Sequence, residues 1–151
     1  MSIIKKINIA VIGATGYTGL DLVLMLSKHP KIRLKYLCAT KNLGKEINYF
    51  DKRIKKKLPK IVSIKKIDWK ILDLVFLSLP NGEAQKLIKK NYKSNDNLKF
   101  IDLSADFRIS NFKIYEKNYK IKHSAKELIG SSIYSIPELV NKNINEYKII
   151  S

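Results

Sequence analysis

The sequence predicts an α/β fold in which a doubly wound, mostly parallel sheet carries helices on both faces. Three observations lead to this prediction. Short apolar segments rich in β-branched residues alternate along the chain with segments of helical pattern. A glycine-rich turn joins the first of these strands, Ile7–Ile12, to the first helix. Three of the predicted strands end in glycine-containing or polar sequences, and ligands of such sheets bind beyond the carboxyl ends of the strands.

The glycine turn reads GATGYTG and covers residues 13–19. A helix is predicted over residues 20–29, ending before Pro30. Glycines let a backbone turn sharply and approach a pyrophosphate, and the first N–H groups of a helix attract anions. The spacing G-x-x-G-x-x-G is a variant of the common dinucleotide fingerprint, and a glycine turn that binds no ligand is the alternative. The turn predicts a Rossmann-type cofactor site made by Gly13, Thr15, Gly16, Tyr17, Thr18 and Gly19.

The second strand is predicted over residues 33–38, and the residues after it should lie near the adenosine ribose. A domain that prefers NAD usually carries an acidic residue there, but this chain has none between Asp21 and Glu46. Thr40 and Lys41 offer a hydroxyl and an ammonium group instead, which suit a 2′-phosphate. This favours NADP(H) as the cofactor, the alternative being that Lys41 is simply a solvated lysine.

The later elements follow the same alternation of strand and helix. A short strand over 61–64 and a short helix over 68–72 precede a strand over 73–79, a helix at Glu83–Asn91 and a strand over 98–103. The last two strands end in the sequences LPNG and SADFR. Because carboxyl ends of parallel strands meet at one edge of a sheet, these two ends and the glycine turn are expected to face one crevice.

Composition excludes several classes of function. The single cysteine, Cys38, rules out an internal disulfide and a multi-cysteine metal site, and no metal site is expected. No apolar stretch approaches the roughly 20 residues of a membrane span, and no signal peptide is evident, so a cytoplasmic location is expected. The net charge of +17 comes from 27 lysines and only three arginines. Arginine is the residue that reads bases directly, and abundant Lys, Ile and Asn together favour a coding bias toward A and T over a basic binding surface, so neither nucleic acid nor a membrane is expected as a partner.

The segment Asp102–Arg108, DLSADFR, resembles a characteristic segment of the N-acetyl-gamma-glutamyl-phosphate reductase family. Other landmarks occur in the same order: GATGYTG, His29-Pro30, LPNG at 79–82, and YSIPEL at 134–139, where Ser135 replaces the usual glycine. The glycine turn is shared with related semialdehyde dehydrogenases. The resemblance spans nearly the whole chain and identifies it as a member of this group.

The resemblance implies an oxidoreductase of arginine biosynthesis that uses NADPH to reduce N-acetyl-gamma-glutamyl phosphate, a small acyl phosphate, to N-acetylglutamate semialdehyde. In the family a cysteine attacks the acyl phosphate, and it lies in an Asn-Pro-Gly-Cys segment after a strand that residues 147–151 match. The nucleophile is therefore expected just beyond Ser151, and neither Cys38 nor His29 nor His123 inherits a catalytic role. Residues 1–151 are expected to form the NAD(P)-binding domain without the catalytic and dimerisation domain. They are expected to be inactive by themselves and to belong to a homo-oligomer when full length.

Further site residues follow from the resemblance and from their chemistry. Leu79, Pro80, Asn81 and Gly82 are expected on the cofactor side. The substrate-side candidates are Ser104, Arg108 and Glu138, with Arg108 able to fork a carboxylate or phosphate. For each of them the alternative is a purely structural role at a strand end. Two rival functions remain at this point: another acyl-phosphate or semialdehyde reductase, and a nucleotide-binding module without catalysis.

Overall fold

The computed structural model describes residues 6–139 and 143–151. These residues form two compact units, the first running to Ser78 and the second beginning at Leu79. Each unit is an α/β arrangement of parallel strands.

In the first unit four parallel strands lie in the order β3-β2-β1-β4, so that the first strand is central, as predicted. Residues 9–12 of the first strand are almost fully buried, and this matches their continuous apolar sequence. The elements of this unit are β1 (Ile7–Ile12), α1 (Tyr17–Lys28), β2 (Ile32–Cys38), β3 (Ile61–Val62) and β4 (Leu74–Leu77).

Helix α1 contacts β1 and β2 and buries Leu22, Val23 and Leu26. It begins at Tyr17, three residues before the predicted start, because Gly19 lies in its first turn rather than in the preceding loop. The predicted strand over 61–64 pairs only at Ile61–Val62. Ser63 instead begins a 3₁₀ turn, its hydroxyl accepting a hydrogen bond from the Lys65 N–H. The helix predicted over 68–72 is likewise a 3₁₀ turn at Trp69–Ile71.

The second unit contains three parallel strands in the order β5-β7-β6. Helix α2 has the predicted bounds, whereas α3 and β6 were not predicted. Phe112, Tyr115 and Tyr119 recur at helical spacing along α3, but only Tyr115 is buried. The elements are α2 (Glu83–Asn91), β5 (Lys99–Asp102), α3 (Phe112–Tyr119), β6 (Ser132–Ile133) and β7 (Ile149–Ile150).

Parallel strands with intervening helices confirm the predicted fold class, a Rossmann-type α/β fold. Over residues 6–139 and 143–151, no helix is long and apolar enough to cross a membrane.

Candidate cofactor site

Two glycines of the turn between β1 and α1 are required by close backbone packing. Gly13 has a φ of +86°, and a Cβ there would lie 1.9 Å from the Ser78 carbonyl oxygen. A Cβ on Gly19 would lie 2.1 Å from the Gly13 carbonyl oxygen. No other residue fits at either position without a shift of the backbone. The turn is therefore locked between the end of β4 and the first turn of α1.

Gly16 serves a different purpose, because its surroundings are open. A Cβ there would meet only the Gly13 carbonyl oxygen, at 3.5 Å, and the residue is exposed. It is the N-cap of α1, no side chain caps the helix, and no acidic residue lies in the first turn. Tyr17 is 95% exposed, Thr18 is exposed and Thr15 is half-buried. The helix start thus presents uncapped N–H groups and positive dipole charge to solvent, an arrangement that suits a phosphate.

The end of β2 is tied directly to this turn. The Cys38 carbonyl oxygen accepts hydrogen bonds from the N–H groups of Gly13 and Ala14, at 2.9 and 3.0 Å. Thr40 and Lys41 follow and are exposed, with no carboxylate before Glu46. The structure therefore places the predicted ribose-side residues on the same unit as the glycine turn. Burial raises the pKa of the Cys38 thiol to about 12, so this cysteine stays protonated and unreactive.

In the second unit the LPNG turn is held by the DLSADFR segment. Gly82 has a φ of +90° and is the N-cap of α2. Its N–H donates to both carboxylate oxygens of Asp106, at 2.7 and 2.9 Å, and the Gln85 N–H donates to one of them at 3.0 Å. The Asn81 side-chain oxygen accepts the Ala105 N–H at 3.1 Å. The two predicted strand ends are thus brought together, and the Asp106 carboxylate accepts backbone N–H groups at the start of α2.

Asp106 is fully buried and is the centre of a polar cluster that sequence reasoning missed. The Tyr115 hydroxyl donates to its carboxylate at 2.6 Å, and the Gln85 side-chain amide donates to the Tyr115 hydroxyl at 3.2 Å. The His123 Nε2 lies 2.8 Å from the Asp106 carbonyl oxygen. Burial and the bond to Asp106 raise the pKa of Tyr115 well above its usual range, so it remains a donor. A buried aspartate needs hydrogen-bond partners. An aspartate flanked by apolar residues was therefore the one feature of the sequence that could have predicted this cluster.

Asp102, at the end of β5, is also buried, but only one of its two carboxylate oxygens has a hydrogen-bond partner among the described residues. One of its carboxylate oxygens accepts the Ser104 N–H at 2.9 Å. The other is buried and has no hydrogen-bond partner within the described residues. Burial raises the pKa of Asp102 to about 6, although hydrogen bonds from Ser104 oppose the increase.

The three predicted substrate-side residues differ in their surroundings. Ser104 is buried, and its hydroxyl accepts a hydrogen bond from the Asp106 N–H at 3.1 Å. Arg108 is exposed, and one of its guanidinium N–H groups donates a hydrogen bond to the Leu103 carbonyl oxygen at 3.0 Å. Glu138 is exposed in the segment after β6. Their contacts with substrate stay predictions, as does the meeting of all three strand ends at one crevice. In the described part of the chain, no cluster of His, Cys, Asp and Glu could hold a metal ion.

Comparison with known families decides the assignment. The profile of the family described as "Semialdehyde dehydrogenase, NAD binding domain" matches residues 8–147. The chain belongs to this family. As a semialdehyde dehydrogenase NAD-binding domain, it carries the glycine turn, the LPNG turn and the DLSADFR segment inside the matched region.

Relatives of this NAD-binding domain are named N-acetyl-gamma-glutamyl-phosphate reductase. The protein from Ehrlichia ruminantium (strain Gardel) is 35% identical over 148 residues, which cover 97% of this chain and 42% of that protein. The probable chloroplastic reductase of Arabidopsis thaliana is 35% identical, with 97% of this chain and 36% of that protein covered. The domain therefore spans less than half the length of these relatives.

Solved structures show the same fold. Aspartate semialdehyde dehydrogenase II from Vibrio cholerae, complexed with ASA, superimposes with a TM-score of 0.62 at 16% identity, covering 97% of this chain and 37% of that one. The Candida albicans aspartate semialdehyde dehydrogenase with NADP gives a TM-score of 0.52 at 23% identity, covering 69% and 31%.

Proposed function

We propose that this chain is the cofactor-binding part of an N-acetyl-gamma-glutamyl-phosphate reductase, an NADPH-dependent oxidoreductase of arginine biosynthesis. The observation that carries the proposal is the match of 97% of the chain, at 35% identity, to proteins of that name. The complete reaction would convert the acyl phosphate to N-acetylglutamate semialdehyde and phosphate. The relatives do not favour the alternatives of another reductase or a non-catalytic module.

The residues of the first unit fit a dinucleotide. Gly16 leaves the start of α1 open, and the uncapped N–H groups there would bind the pyrophosphate. When bound, NADPH supplies the hydride. Thr40 and Lys41 would contact the 2′-phosphate, since both are exposed beyond β2 and no carboxylate precedes Glu46. The NADP in the Candida albicans structure is consistent with this preference.

The residues of the second unit would orient the ligands. Asp106 holds the Gly82 N–H and the Ala105 N–H holds the Asn81 side chain, so the atoms of this turn would be positioned before the cofactor binds. Arg108 keeps most of its guanidinium group in solvent and would hold a carboxylate or phosphate oxygen of the substrate. Ser104 and Glu138 complete the proposed substrate side. The full-length protein would act in the cytoplasm as a homo-oligomer, without a nucleic-acid or membrane partner.

Titration of the chain with NADPH and NADH tests the cofactor assignment. We expect tighter binding of NADPH, measured by the fluorescence of the reduced nicotinamide. Lys41→Glu should weaken NADPH binding at least about ten-fold, or about 1.4 kcal/mol, because it places a carboxylate near the phosphate. It should leave NADH binding nearly unchanged. Equal affinities for both cofactors in the parent chain would show that the ribose side has been misassigned.

Two further variants complete this test. Lys31→Glu makes the same charge change at an exposed lysine just before β2, whereas Lys41 follows the other end of that strand, so this variant should keep the NADPH affinity. Gly16→Ala adds a methyl group that meets only the Gly13 carbonyl oxygen, at an ordinary contact distance of 3.5 Å, so the fold should persist while the close approach of a pyrophosphate is obstructed. Unchanged NADPH binding by Gly16→Ala would contradict a pyrophosphate at the helix start.

A further inference from the structure

A concave pocket lies in the first unit, away from the residues assigned to the cofactor. Its volume is about 240 Å³. It is lined by the end of α1, the start of β2, Lys6 just before β1, and the segment before β3. The glycine turn follows the opposite end of β1. Six residues of strand separate the two ends, which corresponds to about 20 Å.

The lining of this pocket is strongly cationic. Four of its side chains are basic, and none is acidic; the basic residues are Lys6, Arg33, Lys56 and Lys57. None of the four takes part in an ion pair with any residue of the described ranges. Lys56 donates one hydrogen bond, to the Ser27 carbonyl oxygen at 3.2 Å, and covers the negative end of α1.

Arg53, close to Lys56 and Lys57 in the chain, does have acidic partners, so the absence of acidic residues is specific to the pocket lining. Its guanidinium group contacts Asp51 at 2.7 Å and Asp21 at 2.5 Å, so its charge is compensated within the fold. Lys56 and Lys57 follow Arg53 within four residues of chain but form no ion pair with any described residue. Like charges gathered around a concavity repel one another, and an anion bound between them removes that repulsion.

The walls of the pocket add an apolar component. They are formed by Leu26, Ile32, Leu34, Leu58 and Pro59. Apolar walls lower the local dielectric and strengthen the attraction of an anion to the cations. A groove that follows a nucleic-acid backbone would be extended and lined by aromatic side chains, whereas this site is concave and has aliphatic walls. Its volume is below the 300–1,000 Å³ typical of drug-sized ligands.

We propose that this pocket is a second anion site, which binds a small phosphate ester with a compact apolar group. The ligand's phosphate lies between the four cations, and its apolar part contacts the leucine and proline side chains. The site is separate from the proposed cofactor site, so a ligand there does not compete with NADPH for the same atoms.

Phenyl phosphate serves as the probe, with binding followed by amide chemical shifts of the ¹⁵N-labelled chain. We expect saturable shifts at Leu34 and Leu58. Inorganic phosphate, which lacks the apolar part, should bind at least ten-fold more weakly. Shifts confined to Gly16 and Tyr17 would place the anion at the start of α1 and overturn the proposal. Linear shifts at all lysine-rich surfaces would also overturn it.

Matched variants distinguish binding at this pocket from non-specific attraction of the anion by the net positive charge of the chain. Arg33→Gln combined with Lys57→Gln should weaken phenyl phosphate binding at least ten-fold. The charge-preserving pair Arg33→Lys and Lys57→Arg should keep the affinity within about three-fold, and the amide spectrum of the Gln pair should stay that of the folded parent. Lys90→Gln with Lys117→Gln removes the same charge from exposed residues of the second unit and should change the affinity less than two-fold. Equal losses in both charge-removing pairs would overturn the proposal, as would tighter binding of a single-stranded oligonucleotide at the same amides.

Discussion

Asp102 should make the stability of the chain depend on pH between about 4 and 7. Its pKa in the folded chain is raised from the ordinary 3.8 to about 6, mainly because it is buried. The folded state therefore holds this proton more tightly than the unfolded state. Stability contributed by the neutral acid is fully present below about pH 4 and is lost as the pH rises through about 6.

The size of the stability change follows from the rise in the pKa of Asp102. A change of about two pKa units corresponds to about 3 kcal/mol at 1.36 kcal/mol per unit. Asp102→Asn keeps the shape of the side chain and cannot ionise. The difference in unfolding free energy between this variant and the parent should therefore move by about 3 kcal/mol in favour of the variant between pH 4 and pH 7.5. For a chain of this size, that is a relative change in Tm of roughly 6–12 °C.

Urea unfolding followed by far-ultraviolet circular dichroism at several pH values measures the effect. Any constant cost of an amide beside the Ser104 N–H cancels, because only the change with pH is compared. Asp96→Asn removes a carboxylate from an exposed position and should keep the slope of the parent. If Asp102→Asn has the same pH dependence as the parent, the burial argument for this carboxyl is refuted.

Three other outcomes are expected. Tyr115→Phe should lower the unfolding free energy by about 1.5–3 kcal/mol in urea titrations, because buried Asp106 loses a donor; parent-like stability would contradict the proposed cluster. Gly19→Ala should destabilise by at least about 1–3 kcal/mol, since its Cβ would overlap the Gly13 carbonyl oxygen, and an unchanged Tm would argue against that packing. A polypeptide of these 151 residues should show no acyl-phosphate-dependent oxidation of NADPH, and Cys38 should react with a thiol reagent only on unfolding; turnover abolished by Cys38→Ser would reverse this assignment.

The sequence indicated those elements whose signals are local. Strand β1 and helix α2 have the predicted bounds because a continuous apolar run and an amphipathic pattern lie between clear glycine signals. The start of α1 was misplaced for a specific reason. Gly19 looks like a loop residue in the sequence, but it is needed inside the helix so that the Gly13 carbonyl oxygen can approach the helix backbone.

The missed elements are short, and their local signals are weak. Strand β6 has only two residues, which is too short for any alternation to show. Helix α3 depends on capping: the Asn111 side chain accepts the N–H groups of Lys113 and Ile114, and Lys120 ends the helix with a φ of +57°. The end at Lys120 becomes visible only when the backbone is known, because a lysine is not a residue that predicts the left-handed conformation.

The two buried acids of the DLSADFR segment show what the motif alone could not reveal. Asp106 lies 24 residues from its nearest partner in the LPNG turn, and that separation hides the pairing in the sequence. Its two oxygens accept hydrogen bonds from Gly82, Gln85 and Tyr115, so its role in holding the fold is fully accounted for. Asp102 lies four residues away and leaves one buried oxygen without a partner in the described chain. Once ionised, a buried carboxyl with an unused oxygen costs stability that a neutral residue would not, so Asp102, unlike Asp106, is an acid whose presence the hydrogen bonds of the fold do not explain.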